Sequence, residues 1–202
     1  MAIGDLKQRL ENEGLHFDEL FYSRCEKFKA LLKQWGAVHN LSAQLKDEQI
    51  EENIFDSVYP VKFINEFESL IDIGTGAGYP GMLLAVAKPE AKIVLCEPRA
   101  KRVAFLNFVK NTLELPNVEV VQNRAENLPP KHYDLVTSRA VSNTALLISI
   151  TSNLSSEDTE YLFYKGSMCD EEISGLEFEN YEIVKYGENR NYLYIKRKCL
   201  FT

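Results

Sequence analysis

No stretch of this chain is long and apolar enough to span a bilayer, and its N-terminus lacks the apolar core of a signal peptide. Neither secretion nor a membrane span is expected. Cysteine is sparse: Cys25, Cys96, Cys169 and Cys199 lie far apart with no C-x-x-C pair. That spacing argues against a zinc site and against a disulfide framework, so a reduced, cytoplasmic protein without a metal is expected. Internal repeats and low-complexity segments are missing too. Positive charge is in deficit, with 23 Lys and Arg against 30 Asp and Glu and a pI near 5.1. Taken alone, that balance speaks against a nucleic-acid partner. The deficit is local, however. Nine acids and one base (Lys165) between Glu157 and Glu182 contribute −8 to a total of −7, leaving the remainder close to +1. Basic residues gather at Arg99, Lys101 and Arg102 and again at Lys196, Arg197 and Lys198. Charge runs are commonly solvated faces; as phosphate contacts the candidates are Lys101, Arg102, Lys165 and Arg197.

What the chain does have is a glycine loop. Residues 71–81 read Ile-Asp-Ile-Gly-Thr-Gly-Ala-Gly-Tyr-Pro-Gly. An apolar run ends around an acid, Asp72, and is followed by Gly74, Gly76 and Gly78 at alternate positions. Glycine reaches positive φ freely and lets a ligand approach the backbone. A strand running into such a turn and then into a helix builds a nucleotide-cofactor site at the strand's C-terminal end. Pro80 is expected in the first turn of that helix. Gly76, Gly78 and Gly81 also match the dinucleotide pattern G-x-G-x-x-G, which expects a pyrophosphate at the helix N-terminus. Asp72 disfavours a pyrophosphate there and would welcome an ammonium. D-x-G-x-G-x-G therefore looks like the first motif of S-adenosylmethionine-dependent methyltransferases. Glu97 ends the next strand candidate, where an acid can take both ribose hydroxyls. NAD enzymes share that acid, so Glu97 does not discriminate between the two cofactors.

The hydrophobic pattern divides the chain. Residues 1–66 lack strand signals and read as a helical extension packed on the remainder, with Leu20, Phe28, Leu31, Leu32 and Trp35, then Ile50, Ile54 and Val58, at near-helical spacing. Residues 67–202 read as a cofactor-binding domain. Strands are expected at Leu70–Ile73, Lys92–Cys96, Val118–Gln122, Tyr133–Ser138, Tyr161–Tyr164, Tyr181–Val184 and Tyr192–Lys196, with helices at Gly81–Lys88, Lys101–Leu113 and Asn143–Thr151. That alternation predicts an α/β fold, a seven-stranded mostly parallel sheet with helices on both faces. The last two strands, joined through Gly187 with no helix between, should form an antiparallel hairpin.

Seven motifs occur in order: NLSAQ at 40–44, FDS at 55–57, DIGTGAGYPG at 72–81, KRVAFL at 101–106, NRAENL at 123–128, DLVTSRA at 134–140 and YKG at 164–166. Together they resemble the bacterial ribosomal RNA small-subunit methyltransferase G family, also called glucose-inhibited division protein B, over nearly the whole chain. The resemblance implies a Rossmann-like class I methyltransferase fold with S-adenosyl-L-methionine as cofactor. It implies methylation of N7 of one guanine in the loop around nucleotide ~530 of 16S ribosomal RNA, within the small subunit or an assembly intermediate. A monomer is expected. Two positions depart from the family pattern: Gly36 follows Trp35 where Asn is common, and Glu52-Asn53 stands where Arg-His is common. Both lie in the N-terminal extension.

Carried onto matching positions, the resemblance implies a cofactor site of Gly74, Tyr79, Ala125, Glu126 and Arg139, to which the glycine motif adds Asp72, Gly76, Gly78 and Glu97. Gly74 and Tyr79 would flank the methionine part, Glu97 the ribose, and Ala125 and Glu126 the adenine. Arg139 is the candidate for positioning the substrate; unaided by the resemblance, a structural ion pair fits it equally. Guanine N7 carries an in-plane lone pair and no proton, so no general base is expected, and catalysis should rest on positioning and electrostatics. Rival nucleobase chemistries lack their signs: Asp134-Leu-Val-Thr-Ser138 replaces the Asn/Asp-Pro-Pro-aromatic motif of amino-group methylation, and no cysteine is placed as a C5 nucleophile. Two other readings stay open at this stage, a methyltransferase acting on a protein, small molecule or other RNA, and a cofactor-binding module without turnover.

Overall fold

The computed structural model describes residues 3–39, 46–139, 142–176, 180–188 and 190–196. The NLSAQ motif, Arg197, Lys198 and Cys199 lie outside them. Three helices precede the first strand: α1 (Ile3–Asn12), α2 (Glu19–His39) and α3 (Asp47–Val58). Asp18 starts α2 by accepting the Phe21 N–H at 2.8 Å, satisfying one of the free amides of a helix N-terminus. Strands and helices then alternate: β1 (Ser69–Ile73), α4 (Gly81–Ala87), β2 (Lys92–Cys96), α5 (Ala100–Thr112), β3 (Val118–Val121), β4 (Leu135–Arg139), α6 (Thr144–Ile150), β5 (Glu160–Lys165), α7 (Cys169–Ile173), β6 (Tyr181–Tyr186) and β7 (Arg190–Ile195).

All seven strands join one sheet in the order β3-β2-β1-β4-β5-β7-β6. The first five are parallel, and β7 runs antiparallel between β5 and β6, so the terminal hairpin closes one edge. This is the Rossmann-like methyltransferase fold. Strands buried on both faces need apolar residues at successive positions, as in Ser-Leu-Ile-Asp-Ile of β1 and Lys-Ile-Val-Leu-Cys of β2. Leu70, Leu95, Leu135 and Leu162 share one core with α1–α5, while Ile71, Val94, Val136 and Phe163 share the other with α6 and α7.

The N-terminal helices are built into the first of these cores. Leu10, Phe28, Leu32, Ile54 and Phe55 are wholly buried there, and Phe28 packs edge-on against Tyr79 at 5.3 Å. Leu20 departs from the helical pattern expected of it. It is 54% exposed in the first turn of α2, and Phe21, Tyr22 and Cys25 occupy the buried face instead. Trp35 packs half-buried against Phe105 and Phe108. Pro80 caps α4, which begins at Gly81, so it stands just before the first turn and not in it. The short α7 was not signalled by apolar periodicity; its acidic first turn (Asp170, Glu171, Glu172) suits a helix N-terminus.

Helix α4 and β1 meet at Gly81. A Cβ there would lie 2.5 Å from Leu95 Cδ2 and 2.7 Å from Asp72 Cβ, both in the sheet below. Gly81→Ala is therefore expected to destabilise the protein by about 1–3 kcal/mol through overpacking. Urea denaturation checks this: the midpoint should fall, and an unchanged midpoint would mean that α4 can rise off the sheet at no cost.

Candidate active site

The strand order reverses between β1 and β4, where the chains leaving these strands part to opposite sides and open a crevice at the carboxyl edge. A cleft of about 770 Å³ lies there. Its walls come from the loop after β1 (Gly74, Gly76, Tyr79), the end of β2 (Glu97), the turn after β3 (Ala125, Glu126), the end of β4 (Arg139) and α6 (Leu146, Ile150). Four loops that are remote in sequence thus converge on one space.

Glu97 organises the floor. Its carboxylate is 2% exposed; Oε2 accepts the Gly76 N–H at 3.1 Å and Oε1 the Arg99 N–H at 2.9 Å. The glycine loop is thereby clamped to the start of α5. Gly76 has φ +63°, and a Cβ there would find nothing nearer than Arg102 Nη1 at 3.7 Å. Backbone conformation, not a clash within the protein, demands glycine at this position.

Asp72 and Gly78 are not on the cleft wall. Both lie beneath the loop: Asp72 is wholly buried with Oδ2 accepting the Gly81 N–H at 2.9 Å, and Gly78 packs over Met82. The expectation that Asp72 meets a ligand ammonium gives way to a brace under α4, because β1 points this side chain into the helix-sheet interface. Burial pushes the Asp72 carboxyl up to about 7, against the opposing pull of the Gly81 N–H and the Arg139 charge. An acid raised in the folded state keeps its proton between roughly pH 4 and 7 while the unfolded chain has lost it, so folding stability falls as pH climbs through that window. Asp72→Asn keeps an acceptor for Gly81 and removes the charge. The variant should gain roughly 2–4 kcal/mol over the parent at pH 8 and little at pH 4. Urea titrations at the two pH values measure this, and equal differences at both would show that the Asp72 carboxyl titrates in the folded protein as it does in the unfolded chain.

Arg139 is the last residue of β4, not the first residue after it. Its Nη1 donates to Asn53 Oδ1 at 2.9 Å and to Asp56 Oδ2 at 3.1 Å, both on α3. Its guanidinium lies 4.6 Å from the centre of the Tyr79 ring. Arg139 is therefore both a wall of the cleft and half of an ion pair. The sequence marks Asn53 only as a departure from the family pattern and Asp56 only as part of the FDS motif; neither is expected from it as a partner of Arg139, although the i, i+3 spacing puts both on one helix face.

The candidate RNA contacts scatter. Lys101 is exposed at the start of α5. Arg102 turns into the cleft, 3.5 Å from Glu97. Lys165 is only 7% exposed, paired with Glu172 at 2.6 Å and donating to the Ser142 carbonyl at 3.3 Å, so it is not presented to solvent as a phosphate contact. Its cause is α7, which folds an acid back over the end of β5. Glu126 is exposed and 3.8 Å from Arg124, and Ala125 is buried. Cys25, Cys96 and Cys169 are free and buried, and burial pushes the Cys96 thiol up to about 12, an unreactive state at neutral pH. Among the described residues no cluster suited to a metal ion occurs, and no helix is long and apolar enough to cross a membrane.

A family model described as rRNA small subunit methyltransferase G matches residues 22–198. The chain belongs to this family. Within rRNA small subunit methyltransferase G, it is 53% identical over 191 residues to the protein of Aliarcobacter butzleri, covering 95% of this chain and 98% of that one. Its identity to the Wolinella succinogenes protein is 41% over 188 residues, covering 93% and 96%. Among solved structures, a SAM-dependent methyltransferase from Aquifex aeolicus superposes with a TM-score of 0.59 at 16% identity, covering 89% of this chain and 98% of that one. That likeness concerns the fold. The family match runs through every cleft-lining loop described above.

Proposed function

We propose that this chain, a ribosomal RNA methyltransferase using S-adenosylmethionine, methylates N7 of one guanine in the loop around nucleotide ~530 of 16S ribosomal RNA. Its substrate is the small subunit or an assembly intermediate, and it works as a monomer in the cytoplasm. The observation that carries this reading is the glycine loop clamped by Glu97 at the cleft, with the Arg139 guanidinium lining the same cleft against the Tyr79 ring.

The residues present fit the cofactor. Gly74, Gly76 and Tyr79 line the cleft, a Cβ at Gly76 would meet nothing nearer than Arg102 Nη1 at 3.7 Å, and the buried Tyr79 hydroxyl has no hydrogen-bond partner among the described residues. A buried hydroxyl left unpaired is costly, which favours a polar ligand at its side. Gly74 and Tyr79 would hold the methionine part, Glu97 the ribose, and Ala125 and Glu126 the adenine. Bound there, S-adenosylmethionine supplies a methyl group on a cationic sulfur, open to in-line displacement. A dinucleotide fits less well. The first amide of α4, which a pyrophosphate would need, is already donated to Asp72.

What remains for the protein is to bring a base edge to the methyl and keep it there. N7 needs no proton removed, so no group in the cleft has to act as a base, and none of the buried thiols has to act as a nucleophile. Arg139 can donate to guanine O6 beside N7 or to a phosphate. Lys101, exposed at the start of α5, is a candidate contact for the RNA backbone.

Calorimetry and RNA mapping together test the reading. S-adenosylmethionine and its demethylated product should bind and NAD should not. Cells lacking the gene should lose 7-methylguanosine from that loop of 16S RNA, and purified enzyme should restore it to unmodified subunits. NAD binding without S-adenosylmethionine binding would overturn the cofactor; a retained 7-methylguanosine would overturn the substrate.

A further inference from the structure

Asp56 sits where three parts of the fold meet. It projects from α3, and its side chain is 8% exposed. Oδ2 accepts from Arg139 Nη1 on the cleft wall at 3.1 Å. Oδ1 accepts from the wholly buried Tyr192 hydroxyl at 2.9 Å and pairs with Arg190 Nη1 at 2.5 Å, both residues of β7. Both carboxylate oxygens are engaged from different directions, so the group has little freedom to swing. One turn earlier on the same face of α3, Asn53 accepts from the same Arg139 nitrogen. The Tyr79 ring fixes the other side of that guanidinium. Charge around the carboxylate is balanced further out, where Glu52 holds Arg190 at 3.4 Å and Arg9 at 2.8 Å.

We propose that Asp56 is a positioning residue that acts through Arg139, setting the direction in which this guanidinium faces the acceptor base and reducing the positive charge presented to it. The inference rests on the methyl-transfer reading above. Its electrostatic half follows from the acceptor chemistry. N7 has no proton to lose, so the purine becomes cationic as the new carbon–nitrogen bond forms. An unopposed guanidinium alongside would resist that charge, and a carboxylate 3.1 Å from Nη1 offsets the resistance. The repulsion grows only as the bond forms, so losing Asp56 should lower kcat and leave KM nearly unchanged. The structural half is the tether: without it, Arg139 keeps Asn53 and the Tyr79 ring among the described residues to locate its guanidinium.

A double-mutant cycle on Asp56→Asn and Arg139→Ala tests this, with methylation of unmodified small subunits as the assay. Asparagine preserves the shape and an acceptor oxygen for Tyr192 and Arg190. Asp56→Asn should lower kcat by about 10- to 100-fold, the scale of a misplaced positioning group. In the Arg139→Ala background the same change should cost less than about twofold, because the group it acts through is gone. Asp56→Glu, which keeps the charge one bond further out, should be intermediate. A second readout does not need turnover: the Arg139 Nε–Hε resonance, assigned by its loss in Arg139→Ala, should move toward the envelope of solvent-exposed arginines in Asp56→Asn. Should Asp56→Asn not fold, Asp56→Glu carries both readouts. Equal losses in both backgrounds would reduce Asp56 to a structural residue and overturn the proposal, as would an unchanged kcat or an unmoved resonance. Wild-type enzyme that methylates no subunit would refute the functional reading instead, and the resonance would still decide whether Asp56 holds Arg139.

Discussion

Arg139→Ala should lower kcat/KM for subunit methylation by about 10²-fold, the usual cost of letting the acceptor base shift by about an ångström from its in-line position. The fold should survive. Removing a partner from a buried ion pair is damaging when it strands a charge, but Asp56 retains Arg190 and the Tyr192 hydroxyl. The melting temperature should therefore drop by only a few degrees, in line with a loss of about 1 kcal/mol. Cofactor affinity should change modestly, since the glycine loop is held from the Glu97 side. Methylation assays, thermal melts and calorimetry on one preparation separate these effects. Full activity in the variant would remove Arg139 from the mechanism, and a collapsed melt would mark it as a structural pair with Asp56 alone.

Glu97→Ala should weaken S-adenosylmethionine binding by about 100-fold or more. Two backbone amides, those of Gly76 and Arg99, lose a charged acceptor at once, and each such bond contributes about 1.5–3 kcal/mol. A factor of 100 corresponds to about 2.7 kcal/mol, the scale of one lost hydrogen bond from a ribose hydroxyl to this carboxylate. The glycine loop would also lose its tie to α5 and with it the open backbone the cofactor needs. Glu97→Gln keeps one acceptor oxygen and should lose about tenfold, or 1.4 kcal/mol. Calorimetry of both variants checks the order. Wild-type affinity in Glu97→Ala would dismiss both the clamp and the ribose contact.

Much of the framework is legible in the chain because it depends on local rules. Short apolar runs rich in β-branched residues and bounded by turn residues read as strands buried on both faces, and β1 and β2 lie within a residue of their expected bounds. Asn143 marks the start of α6 by accepting the Leu146 N–H at 2.8 Å, a capping pattern readable from the sequence. Gly187 turns the terminal hairpin at φ +62° for the reason expected of glycine. The short α7 escaped because five residues give no periodicity to read.

By itself the sequence determined the order of the strands and of the longer helices between them, the glycine turn after β1, the chemistry of the loops that line the cleft, and the family. These follow from backbone conformation, apolar spacing and motif order, which act over a few residues. Only the tertiary structure decided which side of each strand a polar residue faces and which distant charge meets it. It turned Asp72 down under α4, because alternate residues of β1 point to opposite faces of the sheet. It closed Lys165 with Glu172. It joined Arg139 to Asn53 and Asp56, more than 80 residues away, because α3 packs against the sheet's carboxyl edge. Pairings of that kind depend on long-range packing around a shared core, and no local pattern in the chain encodes them.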